Sequence, residues 1–217
     1  MAEDCQIESP GCPSKFEQIV KRLALSRSTL VPYSPCPDQI VGEIRCFKDK
    51  NRCDFTIRES IEYGTPPLTP PAERVVLIIL ESPHIDEFDN GSPIGPACGC
   101  TGCRIRKYFS KIFGDVYDDC ALVLLNTFCF QCSVGLTDRD LKNRIIRACK
   151  KDTDFKDDLK RRINGVNERF SVQMFVNASG CVCEGFVDKV LNDLEVDKTR
   201  VKQIRHPALW NENTKCK

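Results

Sequence analysis

The sequence predicts an α/β fold, a three-layer α-β-α sandwich around a short central parallel sheet of four strands. Three observations carry that prediction. Four short runs rich in apolar or β-branched residues lie between residues 74 and 205, and segments with helical spacing separate them. Strands that alternate with helices in this way build parallel sheets covered on both faces. Each run also ends in a cluster of polar residues, at the carboxyl edge where open α/β sheets bind ligands.

Residues 74–81, Arg-Val-Val-Leu-Ile-Ile-Leu-Glu, are a continuous apolar run, the pattern of a strand buried on both faces. Residues 121–126 and 171–177 repeat it, and the more polar residues 200–205 belong nearer an edge. Helices are expected at 102–113, at 138–149 behind a Thr137 or Asp138 cap, at 153–163 and at 182–194. Upstream, residues 1–13 read as a loose tail. Residues 14–25 read as a helix with Ser14 as cap and Phe16, Ile19, Val20 and Leu23 on one face. Pro32, Pro35 and Pro37 interrupt the next stretch, residues 40–47 suit a short strand and 54–62 a short helix, and Thr65–Pro71 reads as an extended loop. Residues 1–71 are therefore expected to be a helical and loop segment packed on the core, and residues 72–217 the functional domain.

Composition narrows the class. Of 217 residues, 41% are hydrophobic and 29% charged, which excludes disorder over most of the chain. No apolar run approaches the roughly 20 residues of a membrane-spanning helix. The N-terminus has neither the basic region nor the apolar stretch of a secretory signal. The 15 cysteines are accordingly expected to be mostly reduced, buried thiols of a cytoplasmic, monomeric protein. The net charge is only +1, but from Lys142 onward 17 Lys and Arg face 11 Asp and Glu, while the preceding residues carry a net of −5. A basic C-terminal part suits a polyanion partner, and it equally suits solvated helix faces.

The strand ends supply the site candidates. Glu81-Ser-Pro-His84 follows the first run, Asn126-Thr127 closes the second, Asn177-Ala-Ser-Gly180 ends the third and His206-Pro-Ala-Leu-Trp210 follows the fourth. The chain has two histidines, and each follows a strand beside a proline. Taken singly, Glu81 suits a loop cap, Asn126 a bond to nearby backbone and each histidine a structural role. Together they describe a pocket with a carboxylate, an amide and an imidazole.

In this order the motifs resemble the uracil-DNA glycosylase superfamily, most closely its family four and five branch. The family's Gly-Glu-Ala-Pro-Gly stands here as Leu80-Glu-Ser-Pro-His84, and its Gly-x-Pro-Phe-Val-Gly as Gly91-Ser-Pro-Ile-Gly95, leading into Gly99-Cys-Thr-Gly102. The base-reading Asn at a strand end matches Asn126, and the final His-Pro-Ala stretch matches residues 206–210. The resemblance implies a DNA partner, a base flipped out of the helix and hydrolysis of its N-glycosidic bond. It assigns His206 to the departing base, and Glu81, or else Asp86, to the sugar or the water. Asn126 reads the base, with His84, Ser82, Ile94 and Phe128 around it. Trp210 is the expected wedge, with Leu209 beside it, and Arg104, Lys107 and Arg205 are the expected DNA contacts, although Arg104, Arg106, Lys107 and Lys111 equally suit an ordinary basic helix face.

The departures from the family bear on the substrate. Ile94 occupies the slot of the family's stacking aromatic, for which Phe128 or Phe88 are the alternatives. His84 replaces a residue that blocks bulk at C5 of the pyrimidine, and Ser82 replaces a carboxylate. A C5-modified pyrimidine on foreign DNA, such as that of a phage, is therefore expected ahead of plain uracil. Some members of the family bind an iron–sulfur cluster, but their N-terminal Cys pair has no counterpart here. Cys98-x-Cys100-x-x-Cys103, Cys129-x-x-Cys132 and Cys181-x-Cys183 have spacings that suit zinc or a cluster in a different register. No cofactor and no metal are expected. A non-cleaving reader of modified bases and a zinc-binding interaction protein are the rival classes.

Overall fold

Hydrogen bonding of the long apolar runs to one another organises the chain. The computed structural model describes residues 13–23, 35–43, 45–47, 52–54, 57–60, 74–90, 92–114, 120–132 and 139–215. The expected tail before Pro13, the Thr65–Pro71 loop, the Thr137 or Asp138 cap and Gly91 lie outside the described residues.

Ten strands and five α-helices are described: β1 (Gln39–Glu43), β2 (Arg45–Phe47), β3 (Arg52–Asp54), β4 (Ile57–Ser60), β5 (Arg74–Leu80), β6 (Phe88–Asp89), β7 (Ser92–Pro93), β8 (Ala121–Asn126), β9 (Ser171–Asn177) and β10 (Val201–Gln203), with α1 (Pro13–Leu23), α2 (Cys100–Phe113), α3 (Arg139–Cys149), α4 (Thr153–Arg169) and α5 (Glu184–Asp193). The main sheet runs β10-β9-β5-β8-β1-β4. Its first four strands are parallel, as the apolar runs predict, and β1 and β4 continue it antiparallel. The four parallel strands are those expected, and two antiparallel strands extend the sheet to six. Two expectations fail here. The helix expected at 54–62 is not formed by the described residues of that stretch, where β3 ends at Asp54 and β4 occupies Ile57–Ser60. The physical reason is the open edge of β8: β1 pairs along it, and β4 along β1, and this ladder overrides a weak local helical preference. Residues 39–43 and 57–60 are therefore hydrogen-bonded into the sheet of the functional domain. Helix α4 also runs on to Arg169, beyond the expected end at 163.

Alternation along the strands divides the core into two layers. Val75, Leu77 and Ile79 of β5 and Ala121, Val123 and Leu125 of β8 face α1, α3, α4 and α5. Val76, Ile78 and Leu80 face α2 and the C-terminal turn, with Ile105, Phe109, Ile204 and Trp210 among their neighbours. Helices on both faces make the three-layer α-β-α arrangement. Seven-residue β5 has only Arg74 exposed, and each buried Val, Leu or Ile contributes about 1.5–3 kcal/mol. α1 joins the first layer through Phe16, whose ring stacks on Phe130 at 4.6 Å.

The parallel strands have a particular order. The chain leaves β5 for β8 on one side, through α2, and returns to β9 on the other side of β5, through α3 and α4. The gap beyond β5 and β9 is a topological switch point, where a crevice opens in such sheets.

One buried ion cluster ties the carboxyl end of β8 in place. The Arg162 side chain, from α4, is fully buried. Its Nε donates to Asp158 at 2.8 Å, and Nη1 to Asp38 at 3.1–3.2 Å and to the Asn126 carbonyl at 2.8 Å, while Nη2 donates to the Thr127 carbonyl at 3.1 Å. Breaking such a cluster from one side strands the remaining charges. Arg162→Met is expected to lower the free energy of unfolding by about 3–5 kcal/mol. Urea unfolding checks this, and a loss below about 1 kcal/mol would match a surface pair instead.

Candidate functional site

A cavity of about 660 Å³ lies beyond the carboxyl ends of β5, β8, β9 and β10. Its position follows from strand register. Leu80 pairs with Asn126, so the segments after β5 and β8 leave the sheet side by side. Thr127 stitches them: its amide and its hydroxyl both donate to the Leu80 carbonyl, at 2.8 and 2.6 Å, and the Phe128 amide donates to the Glu81 carbonyl at 3.2 Å. On the other side Asn177 fixes the exit of β9. Its amide donates to Asp188 at 2.7 Å, its Oδ1 accepts from the Ser179 hydroxyl at 2.6 Å, and Asp188 also receives the Gln203 amide at 2.6 Å.

Glu81, Ser82, His84, Asp86, Asn126, Arg205, His206 and Leu209 all line the cavity. Glu81 is mostly buried and ion-paired with Lys142 of α3. Gly180 makes room for it: at φ +77° it is in the left-handed region, and a Cβ there would lie 3.3 Å from Glu81 Oε2 and 3.9 Å from the His206 Cβ. Asp86 stands exposed at the mouth, its Oδ2 3.2 Å from His84 Nδ1.

His206 caps the short turn Pro207–Leu209, with Nδ1 accepting the Ala208 amide at 3.3 Å. An acceptor nitrogen carries no proton, so the neutral ring holds its proton on Nε2. Burial, with Lys142 adding, lowers the pKa of this imidazole to about 4. It is therefore a neutral N–H donor at pH 7.

Asn126 is 1% exposed, and neither its Nδ2 nor its Oδ1 has a hydrogen-bond partner. Buried polar atoms are rarely left so, because each costs about 1–3 kcal/mol. Asn126 lines the cavity.

Other expected site residues lie elsewhere. Trp210 is 0% exposed, its ring set edge-on to Phe113 and its Nε1 donating to the Arg205 carbonyl at 2.6 Å. The Pro207–Leu209 turn points the indole into the core, so Trp210 is no exposed wedge, and Leu209, 63% exposed, is the side chain left at the rim. Phe128 is buried between Phe186 and Phe155, turned into the opposite layer. Ile94 is 48% exposed and outside the cavity lining, as is Phe88. Among the described residues, the only aromatic rings lining the cavity are the two imidazoles. Arg104 donates to the Trp210 carbonyl at 2.7 Å, and Lys107 lies over the Tyr108 ring; neither lines the cavity.

Sequence reasoning missed four contributors. Arg139, Lys142 and Asn143 reach the cavity from α3. Their spacing of three and four residues puts them on one helix face, a signal that was legible. The fourth, Glu87, had none. It is 4% exposed, with Oε1 accepting the Ala97 amide at 2.7 Å and Oε2 unpartnered. Burial raises its pKa to about 7, against the amides of Ala97 and His84 and the nearby Asn126 side chain, which favour the carboxylate. Of the cysteines weighed as ligands, Cys129, Cys132 and Cys183 are buried, and burial pushes all three thiols up. Among the described residues no three of His, Cys, Asp and Glu cluster in a way that would hold a metal.

Two tests follow from these protonation states. Nitrogen-15 NMR is expected to find His206 as the neutral Nε2–H tautomer at pH 7, charging only near pH 4; protonation close to 6.5 would contradict it. Glu87 stays protonated in the folded protein between its ordinary pKa of 4.5 and about 7, whereas the unfolded chain is ionised there, so stability falls as pH rises through that window. Glu87→Gln is expected to stabilise the protein by up to about 3 kcal/mol at pH 8 and scarcely at pH 4, measured by urea unfolding at both values.

Comparison of the chain with protein-family models, with curated proteins and with solved structures found no match.

Proposed function

We propose that the protein is a DNA glycosylase that hydrolyses the N-glycosidic bond of a flipped-out pyrimidine, with a C5-modified base ahead of plain uracil. The observation that carries this reading is the meeting of Glu81, Asn126 and His206 around one cavity at the switch point of the sheet. Cleavage of that bond leaves negative charge on the base and positive charge on the sugar. The His206 Nε2–H is a neutral donor suited to the base anion, and a preformed donor of this kind stabilises the transition state without reorganising. The Glu81 carboxylate suits the cationic sugar or the attacking water. It is preferred over Asp86, which stands out in solvent beside His84. Water adds its oxygen to C1′ as the C1′–N bond breaks, and its proton leaves to solvent. The Asn126 amide offers one donor and one acceptor to the base edge.

Two further features support the choice of substrate. The cavity falls within the ~300–1,000 Å³ range of small-molecule sites, which accommodates a substituted base. Arg139, Lys142 and Arg205 line it, where the phosphates of a flipped nucleotide would pass. No described phenyl or indole ring lies there to stack on the base, so hydrogen bonds carry the recognition.

The test is base release from DNA containing uracil, cytosine, hydroxymethylcytosine or glucosylated hydroxymethylcytosine, with abasic sites revealed by alkali. Release of a C5-modified base is expected. His206→Ala is expected to slow it about 10²–10³-fold. Asn126→Ala is expected to weaken it about tenfold or more, the usual worth of a paired base contact. Release from uracil alone would make the protein an ordinary repair enzyme. Binding without release from any substrate would make it a reader, and neither release nor binding would refute both.

A further inference from the structure

We propose that Glu87 and Asn126 form one recognition pair, in which the Glu87 carboxyl selects the end of the Asn126 amide presented to a base, and hence the pyrimidine edge that binds. The inference rests on the reading of the cavity as a pyrimidine site, and it adds a residue and a selection rule to that reading.

Glu87 Oε2 and both ends of the Asn126 amide are buried without a well-formed hydrogen bond, and the two side chains lie near enough for Asn126 to favour the Glu87 carboxylate. Both residues line the cavity. The carboxyl is firmly built in. The Ala97 amide holds Oε1, and Ala97 itself adopts φ +57°, a costly conformation for a residue with a side chain. Its carbonyl packs so closely on α2 that a Cβ on Gly102 would lie 1.9 Å from it. Gln39 holds the same loop from β1, its Nε2 donating to the Ile94 carbonyl at 2.9 Å. One oxygen of Glu87 is thus clamped, and the other is left beside an uncommitted amide.

The chemistry of the pair is a choice between two states. An ionised carboxyl only accepts, so it draws the Asn126 Nδ2 toward itself. A protonated carboxyl can donate its O–H, so it draws Oδ1 instead. The two states differ by a half-turn of the amide, which reverses the order of donor and acceptor facing the cavity. Uracil-type bases present N3–H and O4, a donor and then an acceptor. Cytosine-type bases present N3 and the N4 amine, the opposite order. One amide orientation suits each.

The surroundings put the choice within reach of ordinary pH. Burial raises the Glu87 pKa to about 7, with Asp86 on the same turn adding to it. The other titratable groups near it are thiols: Cys36, on the segment before β1, and Cys98, on the loop. Burial pushes both up, and they stay protonated in this range. Asp38 acts on Cys36 and is bound by Arg162, and Arg106 of α2 acts on Cys98.

The test uses the full chain and oligonucleotides with one 2′-fluoroarabino uracil or cytosine nucleotide, which resist cleavage. The reference is the same strand with a tetrahydrofuran abasic analogue. Affinities are measured by fluorescence anisotropy near pH 6 and near pH 8.5. The ratio of uracil to cytosine affinity is expected to change about tenfold or more between them, the scale of one well-made base contact. Glu87→Gln is expected to abolish that change. A constant wild-type ratio, or a change that survives in Glu87→Gln, overturns the proposal while base binding stands. If neither base binds better than the abasic strand, the pyrimidine reading fails, and the proposal with it. A measurement without variants guards against misfolding. Carbon-13 NMR of the wild-type Glu87 carboxyl is expected to show a pKa displaced in opposite directions by the two oligonucleotides; displacement in one direction by both overturns the pairing.

Discussion

The buried guanidinium of Arg162 is the interaction on which the site depends. Where β8 leaves the sheet, the carbonyls of Asn126 and Thr127 have to find donors away from water, and Arg162 provides them. A buried cation is costly, and here Asp158 on its own helix and Asp38 ahead of β1 offset it. The cluster joins α4, the end of β8 and the segment that leads into β1. It also separates the two halves of Asn126: the carbonyl is tied to Arg162, and the side-chain amide is left for the cavity. A hydrophobic side chain at 162 would pack as well and would leave those two carbonyls without their donor.

The cavity and its supporting loop gather groups that do not favour folding. The Asn126 amide, one oxygen of Glu87, the left-handed Ala97 and a carboxylate–lysine pair at a strand end all oppose folding or contribute little to it. The two core layers on either side of the sheet are built of apolar side chains and carry the stability. Strain and unsatisfied groups persist where the surrounding structure over-determines them, and such places tend to be functional.

How much of this was legible in the sequence depended on whether local chemistry or distant packing decided each feature. The runs at 74–81, 121–126 and 171–177 are too apolar to be anything but buried strands, and the ends of the first two, with the end of the run at 200–205, bring Glu81, Asn126 and His206 to one cavity. Residues 39–43 and 57–60 were harder, because the edge of β8 selects their conformation and no local pattern announces it. Trp210 misled because a sequence does not say which way a short turn will aim an indole, and the buried layer beside α2 claimed it. Glu87 looks like one acid in an Asp-Glu pair, and the Ala97 loop that buries it lies ten residues on. Arg162 follows another arginine on a charged helix, and only the tertiary fold distinguishes the fully buried Arg162 from Arg161, which reaches solvent.

The two titratable groups most displaced at the cavity have moved in opposite directions to the same end. Burial lowers the His206 imidazole and raises the Glu87 carboxyl, and both shifts favour the uncharged form. The wall that includes Asn126, Glu87 and His206 is therefore rich in neutral hydrogen-bonding groups near pH 7. Charge increases outward, first in the Glu81–Lys142 pair and then in exposed Arg139, Arg205 and Asp86. A flipped nucleotide has the same gradient, from an uncharged polar base through the sugar to a charged phosphate. A carboxylate or phosphate ligand entering head first would meet the opposite order, with its charge delivered to the part of the cavity least able to hold it. This gradient of polarity favours a nucleotide bound base-inward over a small acidic metabolite, and it does so independently of any motif.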